Sequence, residues 1–458
     1  MTKMLTTSLL AVSAALQASA SVTIRKTGQG PTGYEVDFKY TNITAGRVLI
    51  GGGMQPFTDR FHTTLTRNAM YDPHTYQPGD FYVRSRPGPD YKWPYEMTVD
   101  DAGMWSYTTP LPSGVYTFAY LVDCDYVMNC TIDTGKLVLD PDMPPFQNVP
   151  GDQVASTFQV PFDAKFQAGE PGGGNFDYAL PAAPEHRGTV RTVNYTSPGS
   201  IHPAPDIHDF TIYLPAGYGS GGKKKHEYPL LYLSHGANGN GAEWENLARA
   251  SAIFDNLIAG GHIPQTVVVM PSFYNLDDSL SRFIYGSADI VPAPYPDHVR
   301  ANYQRHLFPW VEAHYDVCRE PRCRAFAGLS LGGRLAYEMY TNATDYFGYF
   351  GFFSPATAAP YVTSARDNPA LAEKGLFVAC GLYDSLLTTA LELQESLDAM
   401  GIPYISRVAP FGSHYWNTWQ DALWWFGVKT LWKPLLSSAE TDRAMLSRAA
   451  AININCLY

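Results

Sequence analysis

Ser330 lies in Gly328-Leu329-Ser330-Leu331-Gly332-Gly333, a G-x-S-x-G run that follows the apolar stretch Arg324-Ala325-Phe326-Ala327. The residues after it, Arg334 to Tyr340, put Leu335, Ala336 and Met339 on one helical face. Strand, sharp turn and helix are the setting in which this motif presents a nucleophilic serine. The turn holds the serine in a strained backbone conformation, and glycines two residues before and after leave it room. In a chain with 39 Gly, a chance glycine-rich turn is the competing reading. The motif alone does not dispose of it, but its flanking elements and its partners do.

A serine needs an imidazole to take its proton and a carboxylate to orient that imidazole. With a serine on such an elbow, the acid follows in the chain and the histidine comes last. Gly375 to Gly381 is a buried-type strand, and Asp384 lies three residues beyond it. Tyr404 to Pro410 is another strand, and a short loop then carries His414, the only histidine after Ser330. Asp345, Asp367 and Asp398 compete with Asp384. Asp367 falls in a loop before a proline and Asp398 within a helix, not past a strand end where sites of open α/β sheets gather. The oxyanion needs two backbone donors. One is the N–H of Leu331. The other is the N–H of Ala237, with Gly236 next, because the strand Tyr228 to His235 runs into a loop holding Gly236, Gly239 and Gly241.

These residues need a scaffold. Strand candidates lie near 188–195, 208–214, 228–235, 265–270, 323–329, 348–354, 375–381 and 403–410, with helical stretches at 244–260, 298–315, 389–400 and 415–432. Strand alternating with helix predicts the α/β class, a mostly parallel eight-stranded sheet covered on both faces. Before residue 150, short strands alternate with turns, as in 34–40 and 114–122, and predict an all-β sandwich. The reading is a leader over 1–20, a β-sandwich over 21–150, an irregular linker over 151–185 with Gly172-Gly173-Gly174, a catalytic domain over 186–436 and a tail over 437–458.

Several motifs carry a family resemblance. They are Leu231 to Gly236, Glu243-Trp244, Ile253 to Ile258, Thr266 to Pro271, Arg324 to Gly333, and Gly412-Ser413-His414-Tyr415-Trp416. With them, residues 186–432 resemble the esterase D-type α/β-hydrolases: feruloyl and acetylxylan esterases of carbohydrate esterase family one, whose architecture siderophore esterases and mycolyltransferases share. Many of these feruloyl esterases have Asp where this chain has Tyr415, a change that bears on acyl specificity and leaves the triad intact. The resemblance implies hydrolysis of a carboxylic ester. His235, Trp244 and Trp416 are the candidate substrate-binding side chains, although a histidine at a strand end is more often structural. The stretch Pro94 to Trp105 into Leu111 to Tyr116 resembles an early-set immunoglobulin-like domain. Trp93 and Trp105 are its candidates for stacking on sugar rings, against a plainer role in core and domain packing.

Composition agrees. A net charge of -11 excludes a nucleic-acid partner, which needs a basic surface. Aromatics at 14%, with 31 Tyr, suit sugars and phenolics. No zinc spacing is present, and the chemistry calls for no metal or cofactor. Leu5 to Leu16 is apolar and too short to span a bilayer, and Ala18-Ser19-Ala20 reads as a cleavage site, so the protein is expected to be secreted with no membrane partner. Sequons at Asn42, Asn129, Asn194 and Asn342 permit glycosylation. Six cysteines fit an oxidising compartment, with Cys124–Cys130 and Cys318–Cys323 as local pairs and Cys380–Cys456 left over.

The expected reaction is two-step acyl transfer by Ser330, His414 and Asp384 on a feruloyl or acetyl ester of plant cell-wall polysaccharide. Two alternatives stand beside it: an esterase or acyltransferase for a siderophore or other small-metabolite ester, and a carbohydrate-binding protein on an inactive hydrolase.

Overall fold

The computed structural model describes residues 19–52, 57–58, 74, 76–78, 81–82, 96–124, 134–147, 154–169, 174–220, 227–237, 239–276, 295–357, 368–410 and 412–435. Tyr34 to Thr41 alternates buried with more accessible residues, the period of a strand with one face on a core. Its antiparallel sheet runs in the order β1 (Ser19–Lys26), β2 (Tyr34–Thr41), β7 (Met104–Pro110), β6 (Thr98–Val99). A second antiparallel sheet is ordered β10 (Pro145–Gln147), β11 (Val154–Val160), β8 (Gly114–Val122), β3 (Val48–Gly52), with β9 (Leu137–Val138) also on β8. The pair β4 (Phe57–Thr58) and β5 (Phe81–Tyr82) forms a separate ribbon. Phe38 of the first sheet meets Phe118 and Phe158 of the second edge-on at 5.3 and 5.8 Å, so aromatic rings fill the space between the sheets. Trp105 belongs to this core, and its Nε1–H donates to the Asn42 carbonyl at 3.0 Å. Trp93 lies outside the described residues.

The expected linker needs correcting. Val154–Val160 is a strand that pairs with β8 from Ser156↔Phe118 to Val160↔Gly114. Its Ser156, Thr157 and Gln159 disguise it as a polar connection, yet all three are buried against neighbours that bond them.

The second half forms one eight-stranded sheet: β12 (Thr189–Thr196), β13 (Ile207–Leu214), β15 (Val267–Pro271), β14 (Leu230–Ser234), β16 (Arg324–Leu329), β17 (Tyr349–Phe353), β18 (Gly375–Gly381), β19 (Ile405–Ala409). Only β13 runs against the other seven. Strands β14 to β17 are buried along their whole length, the mark of parallel strands covered on both faces. Among the described residues the α-helices are α1 (Glu243–Asn246), α2 (Ala250–Ala259), α3 (Asp297–Asn302), α4 (Phe308–His314), α5 (Leu331–Asn342), α6 (Leu387–Ala399) and α7 (Trp416–Lys429). The helix expected over 244–260 is broken at Arg249, which is left-handed at φ 58° and whose guanidinium donates to Thr157 of β11. The helix expected over 298–315 passes through a π-turn, Tyr303–Leu307, before Pro309, which has no amide to donate. One face of the sheet, with Leu231, Trp244, Phe254 and Phe426, shares a continuous core with Phe38 and Phe118 of the front sheets.

Cys318 and Cys323 form a disulfide just before β16. Cys124 is disulfide-bonded, and its expected partner Cys130 lies outside the described residues. The Cys380–Cys456 pairing is corrected: Cys380 is a free thiol, buried within β18.

Candidate active site

Register brings five strand ends level. Ser234 pairs with Gly328, Leu329 with Phe353, Phe353 with Ala379, and Gly381 with Ala409. The residues that leave this edge are His235 to Ala237, Ser330, Ser354, Asp384 and His414, where parallel α/β sheets place their sites.

Ser330 sits between β16 and α5 at φ 53° and ψ -116°. Two bonds hold this strained turn: its N–H donates to the Phe353 carbonyl at 2.9 Å, and its own carbonyl accepts from Ala356 N–H at 2.9 Å. A Cβ at Gly328 would overlap the Gly332 carbonyl, and one at Gly332 would overlap the His235 carbonyl, so the turn needs both glycines.

His414 Nε2 lies 3.2 Å from Ser330 Oγ, and its Nδ1 lies 2.9 and 3.0 Å from the two Asp384 carboxylate oxygens. With Nδ1–H donating to the carboxylate, Nε2 is left to accept the serine proton. Burial pushes the Asp384 carboxyl up. The bond and charge of His414, the Leu386 N–H at 2.8 Å and the Ser354 hydroxyl at 2.7 Å outweigh it and hold the group below the usual carboxylate range. The rivals are elsewhere. Asp345 and Asp398 are exposed, Asp398 on α6, and Asp367 lies outside the described residues.

Leu331 opens α5, where the first amides have no partner within the helix. Gly236 packs so closely that a Cβ there would come 3.2 Å from Ser330 Cβ, so the 236–237 backbone passes beside Ser330. His235 is fully buried. Its Nε2 accepts from Phe273 N–H at 3.3 Å, which leaves the proton on Nδ1 to donate to the Gly236 carbonyl at 2.7 Å. That bond fixes the plane of the Gly236–Ala237 peptide, and with it the direction of the Ala237 N–H. Burial pushes the His235 pKa down to about 3, so the ring stays neutral.

The three expected substrate contacts are corrected to packing roles. His235 is spent on backbone. Trp244 is 1% exposed, donates Nε1–H to the Ser234 carbonyl at 2.9 Å and meets Phe353 and Trp416 edge-on. Trp416 is wedged between Trp244 and Trp419 at 5.7 and 4.9 Å. Tyr415 is buried, with its hydroxyl 3.5 Å from Thr117 of β8.

Sequence reasoning missed Ser354. It follows β17 in left-handed conformation at φ 43°, fully buried, donating to Asp384 and accepting Trp419 Nε1–H at 3.2 Å. Its one sequence signal is a serine between an aromatic strand and Pro355.

Residues 206–425 match the Esterase family model. Over 213 residues the chain is 33% identical to an endo-1,4-beta-xylanase/feruloyl esterase of Xylanibacter ruminicola, covering 46% of this chain and 28% of that protein. Over 238 residues it is 24% identical to endo-1,4-beta-xylanase Y of Acetivibrio thermocellus, covering 47% of this chain and 20% of that one. The chain thus spans less than a third of the length of these curated relatives. Among solved structures it is similar to the enterobactin esterase FES from Shigella flexneri, with a TM-score of 0.52 at 15% identity over 91% of this chain and 96% of that one. The likeness in fold therefore takes in the front β-domain. The matched segment is similar to the Esterase family and lies on the α/β-hydrolase sheet, and the named relatives make the likeness one to esterases of the feruloyl esterase-like type.

Proposed function

We propose that this protein hydrolyses carboxylic esters by acyl transfer through Ser330. The observation that carries the reading is the unbroken chain of contacts Ser330–His414–Asp384 at a strained elbow. His414 Nε2 takes the hydroxyl proton while Oγ attacks the ester carbonyl, and Asp384 steadies the imidazolium. Leu331 and Ala237 amides receive the oxyanion. The intermediate collapses, and the alkoxide takes the proton from His414 and leaves as the alcohol. Water then attacks the acyl-serine, again losing its proton to His414. A second collapse frees the acid and returns the proton to Ser330. Ser330→Ala should lower kcat by roughly 10⁴ or more. A correctly folded variant that keeps a tenth of the activity would remove the reading.

For the substrate, we infer a feruloyl or acetyl ester of plant cell-wall polysaccharide. The name of the Xylanibacter ruminicola relative supports the feruloyl group and the xylan context. A small-metabolite ester of the siderophore kind is the second reading, favoured by the fold likeness to the enterobactin esterase across both halves of the chain. Rates on methyl ferulate, p-nitrophenyl acetate, acetylated xylan and enterobactin separate the two. The leader-like 1–20 segment and the Cys318–Cys323 disulfide support secretion.

A further inference from the structure

Among the described residues, hydrogen bonds join the front β-domain to two short segments of the hydrolase, each downstream of part of the site. The first is Tyr415 to Gln420, immediately after His414. Asn417 Oδ1 accepts the N–H of Val115 in β8 at 2.8 Å. The amide is seated on bare backbone, because the neighbouring Gly114 is at φ +144° and a Cβ there would come 2.9 Å from Asn417 Nδ2. Tyr415 turns its hydroxyl toward Thr117 of the same strand. The second segment is Asn246 to Arg249, at the end of α1 and beyond the oxyanion loop. There Thr157 Oγ1 donates to the Asn246 carbonyl at 2.7 Å, and Arg249 Nη2 donates to the Thr157 carbonyl at 2.8 Å and to its hydroxyl at 2.9 Å.

These contacts differ in quality. One turn along α7, Gln420 Nε2 donates to Gln159 Oε1 and to the Ala248 carbonyl, both at 3.0 Å, but Gln159 Nε2 and Gln420 Oε1 are left without partners. The Asn417–Val115 bond has a buried strand on one side and the first turn of α7 on the other. No side chain caps the α7 amides; Thr418 of its first turn bonds back to the Ser413 carbonyl, and the Asn417–Val115 bond ties the same turn to the front domain. His414 sits two residues before that helix, and its 3.2 Å contact with Ser330 tolerates little displacement.

We propose that the front β-domain is part of the catalytic unit, and that Asn417 is a positioning residue that uses Val115 of β8 to set the His414 loop against Ser330. The inference rests on the triad reading above. The test uses the full chain with p-nitrophenyl acetate, a substrate too small to need a polysaccharide-binding face. Asn417→Leu should lower kcat about tenfold with KM held within about twofold, while circular dichroism at the assay temperature stays that of the parent. Asn417→Asp keeps an acceptor for the Val115 N–H and should recover most of that loss. Gln420→Leu cuts a seam contact one turn further from His414 and should lower the melting temperature without the fall in kcat. If Asn417→Leu does not fold, the smaller Asn417→Ala is read the same way. The inference is overturned by parental kcat in the Asn417 truncation, by Asn417→Asp as impaired as Asn417→Leu, or by an equal kcat loss in Gln420→Leu. Ser330→Ala in the same assay keeps the two readings apart: residual activity there sinks the triad itself, whereas a dead Ser330→Ala beside an unaffected Asn417→Leu sinks only the coupling.

Discussion

The loops after β14 and β19 each bring a histidine to the same edge of the sheet, and the two rings end in opposite circumstances. His414 keeps 30% of its side chain exposed and divides its nitrogens between a carboxylate and a hydroxyl. His235 is fully buried and divides its nitrogens between two backbone groups, the Gly236 carbonyl and the Phe273 amide. Both rings have their hydrogen bonds, so satisfaction does not separate them. What separates them is whether a protonated ring would be welcome. The Asp384 carboxylate is bonded to His414, while among the described residues nothing ionised is bonded to His235 and burial disfavours its charge. In the proposed mechanism one ring carries a proton between steps, and the other serves as a strut.

The sharpest way to break this contrast is at the carboxylate. Asp384→Asn should cost about 10⁴ in kcat at neutral pH by stabilising the wrong tautomer of His414, and Asp398→Asn should change little. Near-parental activity in Asp384→Asn would leave His414 no better placed than His235.

A smaller effect is expected at the strut. His235→Ala frees the Gly236–Ala237 peptide and should lower kcat about 10- to 100-fold, less than outright loss of the proton acceptor. Because the ring is neutral above about pH 3, the acid limb of kcat/KM should keep its midpoint. A moved midpoint in His235→Ala would make His235 the base and reverse the assignment.

The smallest effect concerns the carboxyl beside that strut. Glu243 is buried under Gly239, where an added Cβ would strike its carboxyl and come 2.7 Å from His235 Nδ1. Burial pushes its pKa well up. The unfolded chain releases this proton near pH 4.3, the folded chain only at higher pH, so stability is fullest below about pH 4.3 and declines as pH rises from there. Glu243→Gln ionises in neither state. Its melting temperature should exceed the parent's by a few degrees at pH 8, and the gap should close near pH 4. A gap of the same size at both values would mean that ionisation plays no part.

Ser330, Asp384 and His414 were legible from residues 328–414 because the chemistry restricts both their types and their order, and because elbow and strand ends have local signatures. The eight strands were legible for a related reason: runs such as Val267–Val268–Val269 make sense only when covered on both faces. The sequence offers Trp244 and Trp416 as substrate contacts because a tryptophan beside a motif looks the same whether it faces a cleft or a core. Val154–Val160 reads as linker in the sequence because the bonds that hold Ser156, Thr157 and Gln159 come from residues up to 261 positions away. The sequence by itself determined which groups could do the chemistry and which elements could carry them, since motif order and hydrophobic period are local properties of the chain. Only the tertiary structure decided that Ser354 braces Asp384, that His235 is a strut and that Asn417 rests on Val115, because a side chain's role follows from what lies across the space it points into.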